Sequence, residues 1–119
     1  MPRYSSTRGK YVRGGDVVPV ASQSRSASGN SGWLSCEEYN TLVLTLAVTV
    51  DNFTTLDVVV ETAEDSSGTN TRAAGGSPFS QKSGVSTERK SFTGLDKFYR
   101  VSWTLVGTSG TWSVSGEGK

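Results

Sequence analysis

The sequence predicts an all-β protein: an antiparallel β-sandwich of jelly-roll or Greek-key type with an extended N-terminal arm. Three observations point there. Apolar residues alternate with period two, turn signals recur about every 8 to 12 residues, and no segment carries a helical period. Composition agrees, because the 119 residues include 19 Ser, 14 Thr and 14 Gly. Glycine loses the most entropy in a helix, and Ser and Thr compete with its backbone hydrogen bonds. The length sets the expectation of one domain.

Taken in chain order, the strands begin after an arm spanning residues 1–32, and the sandwich is expected over 33–119. Leu42, Leu44, Leu46, Val48 and Val50 share one face of the first clear strand, with Val43, Thr45, Ala47 and Thr49 on the other. Asp51-Asn52 makes a turn. Leu56, Val58 and Val60 then alternate against Asp57, Val59 and Glu61 as the second strand. Glu64 to Asn70 is turn chemistry, and Ala73 to Pro78 reads as a long loop. Two shorter strands are expected over Phe79 to Lys82 and Val85 to Phe92. From Phe98 to Val106 the alternation returns, placing Tyr99, Val101, Trp103 and Leu105 together and Phe98, Arg100, Ser102, Thr104 and Val106 opposite them. After a turn at Gly107 to Gly110, Thr111 to Ser115 forms the last strand with Trp112 and Val114 facing one way.

The arm differs chemically from the body. Over residues 1–32 it carries Arg3, Arg8, Lys10, Arg13 and Arg25 against Asp16, a balance of +4, whereas 33–119 has 7 basic and 10 acidic side chains. Its apolar content is confined to Val17, Val18 and Val20 around Pro19, too little to bury a core by itself. Such a segment orders on a partner. Arg3, Arg8, Lys10 and Arg13 are the candidate charged contacts, with Tyr4 and Tyr11 as aromatic anchors. A protein surface fits better than nucleic acid, since few positive charges are spread over a long stretch. Deleting residues 2–30 is then expected to leave the body folded.

Catalytic and metal chemistry find little support. The chain has no histidine, which removes the usual general base and the commonest metal ligand. The one cysteine, Cys36, excludes an intrachain disulfide and reads as a small buried hydrophobe. Of the adjacent acids, Glu37 and Glu38 are expected on opposite faces of a strand, and Glu64-Asp65 in a turn where acids bond their own backbone. The segment Asp65 to Asn70 loosely resembles a calcium loop but lacks a closing acid. No nucleophile elbow, P-loop or dinucleotide fingerprint occurs. No catalytic residue, cofactor or metal site is expected. Trp33, Trp103 and Trp112 are better explained as core or interface anchors than as sugar platforms. No apolar run is long enough for a membrane helix, and the N-terminus lacks the apolar core of a signal peptide.

Leu56 to Thr62, the turn Glu64 to Gly68, Phe79 to Lys82, the run Glu88 to Thr104 and the closing Trp112 to Gly116 occur in an order that carries a resemblance. Over residues 33–117 the chain resembles small β-sandwich capsid decoration (cement) and minor capsid proteins of tailed bacteriophages. The resemblance implies a non-enzymatic virion protein on the capsid surface, made in the host cytoplasm. Its partners would be the major capsid protein and neighbouring copies of itself, in a homo-oligomer such as a trimer, without nucleic acid or membrane. A tail or head-tail connector component and a virion-displayed carbohydrate-binding module are the alternatives.

Overall fold

The computed structural model describes residues 15–119 in full and the backbone of Tyr4–Thr7 and Lys10–Arg13. These last two segments, β1 and β2, pair antiparallel as a two-stranded sheet. The chain continues through β3 (Gly15–Arg25), β4 (Gly29–Asn30), β5 (Leu34–Ser35), β6 (Leu42–Val50) and β7 (Phe53–Ala63). Then follow β8 (Arg72–Ala73), β9 (Ser86–Phe92), β10 (Phe98–Gly107) and β11 (Gly110–Gly118). One sheet has the order β3-β11-β6-β9; the other runs β4-β10-β7-β8, with β5 also on β10. Past β3 the chain changes sheet at every link except β4–β5 and β7–β8. With β11 inserted between β3 and β6, and β10 between β4 and β7, this is the ordering of a jelly roll.

The core follows the alternation read from the sequence. Leu42, Leu44, Leu46 and Val48 of β6 face Leu56, Val58 and Val60 of β7, and all seven are buried. Tyr99 and Val101 of β10 and Trp112 and Val114 of β11 complete the two inner faces, with Trp103 and Leu105 packed partly buried against them. Each fully buried Val, Leu or Phe contributes about 1.5–3 kcal/mol. Val50 departs from the expected face and is 42% exposed, because β6 runs past the end of the core. Burial also pushes the Tyr99 phenol well above its ordinary value.

Residues 15–30, which the sequence places in the arm, take part in both sheets. β3 pairs with β11 from Gly15↔Gly118 to Arg25↔Gly110, and β4 pairs with β10. Few apolar side chains are needed there, because β3 is an edge strand whose inward contribution is Val20 with part of Val17. Pro19 is tolerated at that edge, beside a register shift between Val114 and Gly116. A deletion of 2–30 would remove β3 and β4 together, so the separable segment is shorter than expected.

The expected strand at Phe79 to Lys82 is an irregular edge laid along β7. Phe79 N–H donates to Val58 O, and Leu56 and Lys82 exchange backbone bonds. Phe79 anchors it edge-to-face on Phe92, with ring centroids 5.2 Å apart. Lys82, nearly buried, reaches Glu88 of β9 at 2.6 Å and so ties the two sheets at this seam. Burial pulls the Glu88 carboxyl up, but the hydrogen bonds from Lys82 and Ser80 outweigh it and hold the group below its ordinary 4.5. A carboxyl depressed in the folded state stabilises above its unfolded pKa, and that contribution disappears as pH falls through the folded value. Wild type is therefore expected to exceed Glu88→Gln in stability at neutral pH and to converge on it below pH 4.5. Urea titrations at several pH values check this; a gap that does not change with pH would show the seam to be non-ionic.

Candidate functional site

Of the six arm residues singled out from the sequence, Arg3 and Arg8 lie outside the described residues. Tyr4 stands in β1 and Lys10, Tyr11 and Arg13 in β2, where only the backbone is described. Register places Tyr4 opposite Arg13, Tyr11 opposite Ser6 and Lys10 opposite Thr7. The strands are two residues apart in sequence, the spacing of the tightest hairpins. Among the described residues they pair with each other and with neither sandwich sheet. Residues 1–14 hold four basic side chains and no acid, against eight basic and eleven acidic side chains in 15–119. The ribbon joins the body at Gly15, which lies against the Tyr39 hydroxyl.

At that end, Glu37 and Glu38 sit in a turn after β5, where Tyr39 N–H donates to Cys36 O. They are not in a strand, so the expected divergence to opposite faces does not apply; both line one shallow depression with Ser35 and Tyr39. A second depression joins Glu37 to Leu95, Asp96 and Lys97. Cys36 beneath them is buried, and its Sγ–H donates to Asp96 O at 3.2 Å. Among the described residues no three His, Cys, Asp or Glu side chains gather closely enough to hold a metal ion.

The Glu64 to Asn70 segment is the turn that the sequence predicts, between β7 and β8. Asp65 Oδ1 accepts from the backbone N–H groups of Ser67 and Thr69, and Asn70 donates to Glu64. Thr69, through side chain and backbone, does most to hold the Asp65 carboxyl below its ordinary value. These acids are spent on the turn itself. Its Gly68, at φ +83°, folds against the Trp33 indole, which a Cβ there would approach to 3.2 Å.

Each tryptophan ring is already engaged. Trp112 is fully buried and meets Trp103 edge-on, with centroids 6.0 Å apart. Arg25, at the end of β3, lies 5.0 Å from the Trp103 ring centre and 5.3 Å from that of Trp112. Its guanidinium donates to the carbonyls of Ala21, Gln23 and Trp112, latching the edge strand to the sandwich. Trp33 carries Arg100 at 4.5 Å over its ring, and Arg100 Nε donates to Glu61 Oε1 at 2.9 Å. Ser102 Oγ donates to the same carboxylate oxygen at 3.0 Å. Nothing in the sequence alone assigns a role to this cluster. The signal was present, since Glu61 and Arg100 both occupy outward positions of their strands, but their pairing needed the β7–β10 register.

These features define a class by fold: an antiparallel jelly-roll sandwich preceded by a basic hairpin. No family model matches the chain, and no curated protein matches it. Among solved structures it is similar to the crystal structure of the SPBc2 prophage-derived protein YomS, with a TM-score of 0.51 and 11% identity. The superposition covers 88% of this chain and 91% of that one. At that identity the likeness is one of fold.

Proposed function

We propose that the protein is a non-enzymatic structural component of a phage particle, a capsid decoration (cement) or minor capsid protein that binds and stabilises the head shell. The observation that carries this reading is the basic hairpin, which pairs only with itself among the described residues. A two-stranded ribbon is marginal in water by itself, so it gains its stability from a surface it docks on. Repetition on a lattice converts many weak contacts of this kind into firm attachment. Two fold-level analogies support the particle: jelly rolls recur in viral capsid proteins, and the similar fold of YomS comes from a prophage. The partners are the major capsid protein and neighbouring copies of the chain, on the outer surface of the virion. A carbohydrate-binding module draws no support from the tryptophans, whose rings are stacked or buried.

The test is deletion of residues 2–14 rather than 2–30. The truncated chain is expected to melt within a few degrees of the full one and to lose attachment to capsids in co-sedimentation. Undiminished attachment would refute the arm's role. Copy number from imaged particles separates a shell protein, present in hundreds, from a connector present as one ring.

A further inference from the structure

We propose that the outer face of the five-stranded sheet carries a carboxylate-binding anchor. In it Arg100, stacked on Trp33 and steered by Glu61, offers its two Nη groups to an aspartate or glutamate side chain of a protein partner. The anchor belongs to the body and does not depend on the role given to the hairpin.

The geometry begins with how Arg100 is held. The Trp33 ring lies 4.5 Å from the guanidinium carbon, and the Nε–H bond to Glu61 restricts how the group turns over that ring. Ser102 in turn holds the accepting oxygen of Glu61. With Nε committed, the Nη1–Nη2 edge remains, and among the described residues neither Nη makes a hydrogen bond. The other arginines with described side chains differ. Arg25 donates through both Nη atoms to backbone carbonyls, Arg72 through both to Asp96 and Gly94, and Arg89 through one to Glu117. The Arg100 side chain keeps 29% of its surface exposed, so the open edge is reachable.

A guanidinium edge is shaped for two parallel hydrogen bonds to one carboxylate, and a lysine cannot reproduce that fork. Because stacking and Glu61 already restrict the side chain, little conformational entropy remains to be lost on binding. The surroundings select the kind of anion. On the outward positions of β7 and β10 the charged residues are Asp57, Glu61 and Arg100, a net negative set. A phosphate backbone needs several cations in a row and this face offers one, whereas a single carboxylate needs only one fork. Exposed Val106 and half-buried Val59 share the face and supply apolar contact to a protein surface. Arginine and tryptophan are also the residues that most often dominate protein interfaces.

The experiment uses the full isotope-labelled chain and follows the Trp33 indole N–H and Arg100 side-chain N–H signals by NMR. The probes are a capped peptide with one aspartate, its asparagine counterpart, and a single-stranded oligonucleotide. The aspartate peptide is expected to give a saturable shift confined to this cluster, with affinity at least about tenfold above that of the asparagine peptide. In Arg100→Lys, which keeps the charge and loses the fork, that preference should fall to about twofold or less. Equal response to both peptides in the wild-type chain overturns the proposal without reference to any variant. So does undiminished preference in Arg100→Lys, or tighter binding of the oligonucleotide at these signals.

Discussion

Replacing Gly116 by alanine is expected to destabilise the protein by at least about 3 kcal/mol, toward the upper end of what overpacking costs. For a domain of this size that lowers the melting temperature by more than about 10 °C. The cause is a close approach of main chains. A Cβ on Gly116 would stand 1.9 Å from Val43 O and 2.9 Å from Val43 C, and no side-chain rotation relieves contact with backbone. Gly116 pairs with Leu44 on one side and Val17 on the other, at the register shift that lets β11 serve both β6 and β3. Pushing β11 away there loosens the centre of the four-stranded sheet. Gly94→Ala is the control: its φ of +66° strains a side chain, but nothing lies within 4 Å of the new Cβ. That variant should lose only about 1–2 kcal/mol. Thermal melts of the two variants decide the matter; a Gly116→Ala melting point within a few degrees of wild type would mean the strands part without cost.

The contrast between these glycines shows what period and composition carry and what they do not. The alternation over Leu42 to Val48 and over Tyr99 to Leu105 marks the inward faces by itself, because a half-buried strand writes its two faces into successive residues. An edge strand writes much less. β3 spends one buried valine and part of another, and its stability comes from β11, which lies about ninety residues later in the chain. So Gly15 to Arg25 resembled a leader by composition while belonging to the sheet. The Phe79 to Lys82 segment is legible as extended chain, but its irregular pairing with β7 is not, and the role of Gly116 is one that only the register reveals.

The candidate sites divide the same way. Basic residues without acids mark out the first fourteen positions in the sequence itself, and the structure adds that Lys10 and Arg13 stand in a separate two-stranded ribbon. Arg100 and Glu61 were visible as polar-face residues of two predicted strands. Their convergence on Trp33 depends on three segments from distant parts of the chain, and sequence periodicity contains no distances. Glu37 and Glu38 show the opposite error, in which a correct rule about strands was applied to residues that form a turn.

Trp112→Ala is expected to cost about 3–5 kcal/mol, the range for emptying a fully buried aromatic site. Part of that cost falls on β3. The ring that disappears supports Arg25 from one side and Trp103 edge-on from the other, so the latch on the edge strand loses its platform. Arg25→Ala by itself forfeits the stacking and the bonds to three carbonyls, about 1–3 kcal/mol. If one latch is being broken in both variants, the double variant costs less than the sum of the two by at least about 0.5 kcal/mol. Additive costs from denaturant titrations would separate Arg25 from the tryptophan pair. Trp112→Phe refines the cause. The indole N–H has no hydrogen-bond partner among the described residues although the ring is fully buried, and phenylalanine removes that group while keeping an aromatic face for Arg25. Its cost should therefore be less than half that of the alanine variant, and hydrogen exchange along β3 should stay near wild type in Trp112→Phe while rising in Trp112→Ala.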